Sequence, residues 1–220
     1  MTPANFDRLA RIYRPLELLA FGRDLERARF CLLDRLAGCR SILVLGEGDG
    51  RCLAKLVRIV PLARIHCLDS SPAMLARAED RLCETDARSR VTFECVDVLC
   101  YDFPVARYDA VVTLFFLDCF DSTAAAEVVR RLGSSLQRDA VWLFADFVVP
   151  PSSLARLRAR AWLAVLYAFF RWQTGLRTRE LPPARELIEG TGFRCAATRT
   201  FQQGLVSASL FRREGGRASL

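Results

Sequence analysis

The sequence predicts an α/β protein: a seven-stranded, mostly parallel, doubly wound sheet that finishes in an antiparallel hairpin. Three observations carry this. Apolar runs at 41–46, 64–69, 91–96, 108–115 and 140–147 alternate with helical patterns at 50–59, 72–84 and 122–137. Near-continuous apolar strands separated by helices mean parallel strands covered on both faces. The first run stops at three glycines on alternate positions, Gly46, Gly48 and Gly50. That is a buried strand, a tight turn and a helix start, where backbone N–H groups can approach a ligand closely. Finally, 193–200 and 205–213 are strand-like runs joined by Phe201-Gln-Gln-Gly204, a hairpin signal.

In chain order, residues 4–36 read as helical, broken near Tyr13-Arg-Pro15 and again at Gly22. Phe6, Leu9, Ala10, Ile12 and Tyr13 form an apolar stripe in the first piece; Leu25, Ala28, Leu32 and Leu36 form one in the last. The helix opened near Arg51 must end before Pro61. Pro150-Pro151 ends the fifth strand unit, and a helix of roughly 20 residues follows from Ser152 or Ser153. Pro182-Pro183 starts a short helix that closes at Gly190 or Gly192. The expected organisation is a helical lid over 1–38, a main domain over 39–213 with a helical insertion at 152–190, and a loose tail at 214–220.

Bulk composition bounds the function classes. At 220 residues the chain holds one ordinary core, and 52% hydrophobic content with mean hydropathy +0.16 excludes a disordered chain. The net charge of +7 is carried almost wholly by arginine, Lys55 being the only lysine. Such a balance suits nucleic acid, anionic lipid or an acidic substrate without choosing between them. Nine cysteines lack CxxC spacing, and Cys31, Cys67, Cys95 and Cys195 sit inside apolar patterns. That pattern points to free thiols in a reducing, cytoplasmic setting, with neither a disulfide framework nor a metal site. Asp7, Arg8 and Arg11 interrupt any apolar leader, and no stretch reaches the roughly 18 uncharged apolar residues of a membrane span.

A dinucleotide-binding turn would place its third glycine at position 51, which is Arg51. The spacing Gly46-x-Gly48-x-Gly50 instead resembles motif I of the class I S-adenosylmethionine-dependent methyltransferases. The resemblance covers about residues 40–213 and implies a Rossmann-like fold with an antiparallel seventh strand. It also implies S-adenosyl-L-methionine as cofactor and S-adenosyl-L-homocysteine as product. On this reading Gly46, Glu47, Gly48, Asp49 and Gly50 line the cofactor turn, with Leu114 facing it from the fourth strand. Asp69, 23 residues after Gly46, ends the second strand and can accept both ribose hydroxyls. Its plainer role is to cap the helix opened by Asp69-Ser-Ser-Pro72, a duty that Ser70 or Ser71 can take over. Ser70 and Met74 belong to the same cofactor-facing helix start. The resemblance gives Asp97 the adenine amino group and the Val98 N–H the ring; otherwise Asp97 is a solvated loop acid.

One departure concerns charge. The family carries an acid two residues before the first glycine, and here that residue is Val44. Glu47 and Asp49 supply negative charge for the sulfonium and ammonium instead, or simply favour the helix N-terminus.

For the acceptor, the run from Tyr108 to Phe120 delivers Phe115, Phe116, Asp118 and Phe120 to the carboxyl edge of the sheet, where open α/β sheets bind ligands. Asp118 orients or deprotonates the acceptor, or caps the helix that starts near Asp121. The expected acceptor wall is Phe116, Phe120 and Asp146, with Trp162 and Phe169 from the apolar stretch 161–170. That stretch follows the arginine-rich 154–160 and is too short to cross a bilayer. It is buried, lines a greasy pocket or dips into a membrane surface. His66, mid-strand in an apolar run, reads as a core histidine. Phe6-Asp-Arg-Leu-Ala10, Tyr13 and Ala20-Phe21-Gly22 are similar to the entry segment of ubiquinone/menaquinone-biosynthesis methyltransferases, which implies that Tyr13 lines the catalytic site. Glu17 and Asp24 replace that family's asparagine and histidine.

The expectation is methyl transfer to a small, lipophilic acceptor, with peripheral membrane contact as a further partner. The rivals are a nucleic-acid methylase, a nicotinamide-dependent oxidoreductase and a non-catalytic membrane-associated binding protein. The absence of an Asn-Pro-Pro-Tyr motif argues against base methylation and a nucleic-acid partner. The sequence leaves the oligomeric state open.

Overall fold

The computed structural model describes residues 22–83, 85–149 and 181–213. Expectations that fall elsewhere, including Tyr13, Trp162, Phe169, most of the 152–190 insertion and the tail, lie outside the described residues. The first elements among the described residues are α1 (Asp24–Phe30) and a 3-10 turn, Leu33–Leu36. Then follow β1 (Ser41–Leu45), α2 (Arg51–Ile59), β2 (Arg64–Asp69), α3 (Pro72–Asp80), β3 (Val91–Cys95), β4 (Tyr108–Leu114) and α4 (Ser122–Ser135). After α4 come β5 (Leu136–Phe147), α5 (Ala184–Gly190), β6 (Phe193–Phe201) and β7 (Val206–Arg213).

The seven strands form one sheet in the order β3-β2-β1-β4-β5-β7-β6. Strands β1 to β5 pair parallel, and β7 runs antiparallel to both β5 and β6. The chain winds outward from β1 to β3, then jumps back to β4 on the other side of β1. The crevice at the carboxyl ends of β1 and β4 is therefore the switch point at which such sheets bind ligands.

Strand alternation divides the core into two layers. Ile42 and Val44 face a layer built with α1, α2 and α3, while Leu43 and Leu45 face one built with α4 and α5. On α4 the stripe Ala125, Val128, Val129 and Leu132 has the three-and-four spacing that keeps one helical face on the sheet. Each such fully buried Val or Leu is worth about 1.5–3 kcal/mol against exposure.

Several boundaries differ from expectation, for physical reasons. In the described part of the segment expected as a lid, Leu25, Ala28, Leu33 and Leu36 are buried. The helix expected to run on to residue 36 stops at Phe30 and tightens into the 3-10 turn. Helix α3 ends at Asp80 instead of 84. Strand β5 starts at Leu136 and not 140, directly after α4, because the β4 pairing reaches back from Val141 to Leu136 across an irregularity beside Tyr108. Among the described residues no helix is long and apolar enough to cross a membrane.

Candidate functional site

The glycine turn follows from its backbone. Gly46, Gly48 and Gly50 have φ of +64°, +71° and +83°, conformations that L side chains rarely adopt. Each glycine answers to a different constraint. A Cβ on Gly46 would meet Phe116 Cδ2 at 2.5 Å, and one on Gly50 would meet the Ala78 Cα of α3 at 2.5 Å. A Cβ on Gly48 would meet nothing within 4 Å, so there the turn faces open space. That open, positive-φ position beside a helix N-terminus is a cradle that fits an adenosine-type cofactor.

The side chains around the turn sort themselves by partner. Glu47 Oε1 accepts from the Leu53 N–H at 2.8 Å, closing the first turn of α2, whose cap residue Gly50 has no side chain to do so. Burial pushes the Glu47 carboxyl up to about 8, against the opposing pull of that backbone bond and of Arg29. Asp49 points to arginine instead: Arg51 Nε donates to it at 3.0 Å and Arg81 Nη2 at 3.3 Å.

Asp69 stands across from the turn. Its Oδ2 accepts from the Gly48 N–H at 3.4 Å and its Oδ1 from the Ser71 N–H at 2.9 Å. The cap of α3 is Ser71, whose hydroxyl accepts from the Met74 N–H at 3.2 Å. Ser70 is exposed and Met74 is buried. Asp97 lies beyond the end of β3, where its Oδ1 accepts from the Leu99 N–H at 3.0 Å, and Val98 is buried. The loop after β3 is tied back by Glu94, whose Oε2 accepts from Tyr101 at 3.2 Å and pairs with His66 Nε2 at 2.9 Å. His66 also meets the Tyr108 hydroxyl at 2.8 Å, and burial lowers its pKa. It is a satisfied histidine inside the sheet.

The other part of the crevice, where the sequence placed an acceptor, is built at the ends of β4 and β5. Phe115 has φ +56° and its N–H donates to the Ala145 carbonyl at 2.7 Å, so the chain turns sharply out of β4. The Phe116 and Phe120 rings meet edge to face at 5.2 Å, while Leu114 is buried in the core. Asp118, between Phe116 and Phe120 in sequence, donates its N–H to Asp146 Oδ2 at 3.1 Å, and Asp146 Oδ1 takes the Phe147 N–H at 2.9 Å. The two carboxyls also hydrogen-bond each other. Burial is the main cause that pushes Asp118 up to about 6 and raises Asp146 well above the ordinary carboxylate range. The Cys119 thiol donates to Asp118 Oδ1 at 3.6 Å. Capping of α4 falls to Asp121, whose Oδ1 accepts from the Ala124 N–H at 2.8 Å, which leaves Asp118 out of that role.

The fold thus brings Gly46, Glu47, Gly48 and Asp69 together on one side of the switch point, and Phe116, Asp118, Phe120 and Asp146 on the other. Sequence reasoning missed Arg29, whose guanidinium lies 4.7 Å from the Phe115 ring centroid and whose charge acts on both Glu47 and Asp118. In sequence Arg29 is one arginine among many on an amphipathic helix, with no signal to separate it.

With the site described, likeness to known proteins has something to explain. Residues 42–139 match the methyltransferase domain family. An uncharacterized methyltransferase of Mycobacterium tuberculosis is 27% identical over 135 residues, 60% of this chain and 64% of that protein. A trans-aconitate 2-methyltransferase of an Enterobacter species is 36% identical over 94 residues, 40% of this chain and 37% of the enzyme. Among solved structures, an O-methyltransferase family protein from Burkholderia thailandensis superposes with a TM-score of 0.70 at 18% identity. That match covers 96% of this chain and 59% of the other, and it shows a shared fold. The chain spans no more than 64% of the length of these curated relatives.

Proposed function

We propose that this chain, which carries a class I S-adenosylmethionine-dependent methyltransferase domain at residues 42–139, transfers a methyl group to a hydroxyl of a small, lipophilic acceptor. The observation that carries the reading is the pairing of two half-sites across the switch point. On one side Asp69 and the open Gly48 position offer an adenosine cradle; on the other the hydrogen-bonded Asp118–Asp146 pair lies at the ends of β4 and β5, where the Phe116 and Phe120 rings meet. Bound S-adenosylmethionine supplies an electrophilic methyl on a sulfonium sulfur.

The chain's own groups do the rest. Asp69 accepts the ribose hydroxyls, and Asp97 with the Val98 N–H holds the adenine. Glu47, together with the bound cation it faces, offsets the acid missing at Val44. Phe116 and Phe120 seat the acceptor and exclude water. With the cofactor bound, Asp118 would take the proton of the acceptor hydroxyl as that oxygen accepts the methyl group, and Asp146 would steady Asp118 through the Asp118 N–H. Most of the rate comes from alignment of donor and acceptor, with general-base help of about 10²–10⁴-fold. Tyr13, Trp162 and Phe169 complete the acceptor wall in this reading. A relative named for methylation of trans-aconitate and a structural neighbour named an O-methyltransferase both support an oxygen acceptor. Nine free thiols support a reducing, cytoplasmic setting.

A calorimetric titration with S-adenosylhomocysteine, with NADH as control, tests the cofactor half. Micromolar binding of the former alone is expected. Methyl transfer from labelled S-adenosylmethionine into the lipid-soluble fraction of a cell extract tests the acceptor half. Tighter binding of NADH, or label confined to nucleic acid, would overturn the respective half.

A further inference from the structure

The edge opposite the crevice has its own pattern. Five adjacent strands, β2, β1, β4, β5 and β7, bring an exposed arginine to the amino edge of the sheet: Arg64, Arg40, Arg107, Arg138 and Arg212. With strands about 4.8 Å apart, this rim runs roughly 19 Å. Among the described residues none of the five has a carboxylate partner. The nearest acid on β1–β4, Asp109, already has both oxygens on the backbone N–H groups of Arg40 and Ser41, at 2.6 and 3.0 Å. Asp139, beside Arg138, is exposed.

Two apolar side chains stand in this rim. Leu62 is 68% exposed and Val105 is 79% exposed, the two most exposed large hydrophobic residues among those described. They occupy matching turns, Pro61-Leu62-Ala63-Arg64 before β2 and Pro104-Val105-Ala106-Arg107 before β4. Because β2 and β4 both flank β1, the two turns sit either side of Arg40. The second turn is held outward by its backbone. Ala106 has φ +48°, and the Ala106 and Arg107 N–H groups donate to the Ser134 and Ser135 carbonyls at 3.0 and 2.8 Å. A left-handed alanine kept in place by its neighbours is strain of the kind stored at functional positions.

We propose that this amino-edge rim docks on an anionic lipid bilayer, with the arginines on headgroup phosphates and Leu62 and Val105 in the headgroup–acyl boundary. Guanidinium forks suit phosphate oxygens, and juxtaposed aliphatic and basic side chains are the composition of a membrane-surface contact. A groove for single-stranded nucleic acid would interleave aromatic rings for base stacking, whereas this rim exposes aliphatic ones. Docked in this way, the crevice faces away from the membrane. The proposal is independent of the methyl-transfer reading.

Sedimentation of the full chain with phosphatidylcholine vesicles, with and without phosphatidylglycerol, tests it. Binding is expected only with phosphatidylglycerol, and it should fall as salt rises. The triple variant Arg40→Gln, Arg64→Gln, Arg107→Gln should lose partitioning about 100-fold. Leu62→Ser with Val105→Ser should lose about tenfold on vesicles while heparin binding stays unchanged. Unchanged far-ultraviolet circular dichroism shows that the variants fold. The proposal is overturned if vesicles with and without phosphatidylglycerol bind alike, or if the arginine variant binds as the parent does. It is overturned equally if the Leu62/Val105 change leaves vesicle binding intact, which would make the rim a general polyanion surface.

Discussion

Asp69 and Asp118 show how a carboxylate's role is decided by which neighbour takes over its routine duty. Ser71 caps α3 and Asp121 caps α4, so neither Asp69 nor Asp118 is needed as a cap. Asp69 keeps one oxygen toward Ser71 and the other toward the Gly48 N–H. Asp69→Ala should weaken S-adenosylhomocysteine binding by about 1–3 kcal/mol, the cost of stranding polar partners. Calorimetric affinity equal to the parent's would remove Asp69 from the ribose. For Asp118, a base held up to about 6 predicts that log kcat rises with pH and levels off above about pH 6, as the carboxyl ionises. Asp118→Asn should lower kcat by about 10²–10⁴-fold and abolish that rise. A pH profile that keeps its rising limb in the variant would assign the base elsewhere.

At the scale of elements, the turn between β1 and α2 separates folding from binding within five residues. Gly50 must be glycine because α3 passes against it, whereas Gly48 faces open space. Gly50→Ala adds a backbone clash to left-handed strain and should cost more than about 3 kcal/mol of stability. Gly48→Ala bears strain alone, about 1–2 kcal/mol, yet should weaken cofactor binding more than tenfold by filling the cradle. Thermal melts and titrations of the two variants check this. Equal loss of stability, or full cofactor affinity in Gly48→Ala, would mean that the turn is only a turn. The same element shows why Glu47 was ambiguous in sequence: its bond to the Leu53 N–H makes it the cap that Gly50 cannot be, and burial raises its carboxyl to about 8 when no cation is bound beside it.

Among the described residues, acids gather at the carboxyl edge and arginines without a carboxylate partner at the amino edge. Burial of the acids has a price in stability. Glu47 is raised from 4.5 to about 8 and Asp118 from 3.8 to about 6, so the folded chain holds protons that the unfolded chain releases. Stability from a raised pKa is full below the unfolded value and is lost as pH rises through the folded one. The ligand-free protein should therefore lose stability between about pH 4.5 and pH 8 through Glu47, and between about pH 4 and pH 6 through Asp118. Glu47→Gln keeps an acceptor for Leu53 and should gain about 1–2 kcal/mol over the parent at pH 8 relative to pH 5, solvent at the partly exposed turn limiting the effect. Denaturant titrations at the two pH values measure it, and a constant difference would mean that Glu47 titrates normally.

The sequence by itself determined the winding of the sheet, the place of the glycine turn and the antiparallel ending, because strand alternation, positive-φ glycines and turn residues are local constraints written at fixed spacing. It also carried Asp69, Asp118 and Asp146 as candidates, since each lies in or at the end of an apolar run leading to the carboxyl edge of the sheet. Tertiary structure alone decided their partners. That Asp118 hydrogen-bonds Asp146, 28 residues away, depends on β4 and β5 lying side by side. That Arg29 acts on both Glu47 and Asp118 depends on α1 packing into the core. The matching Pro-x-Ala-Arg turns acquire meaning only once β2 and β4 are seen to flank β1. Local pattern fixes which residues stand at the end of a strand; the pairing of distant strands fixes what they face, and charge, burial and hydrogen bonding follow from the facing.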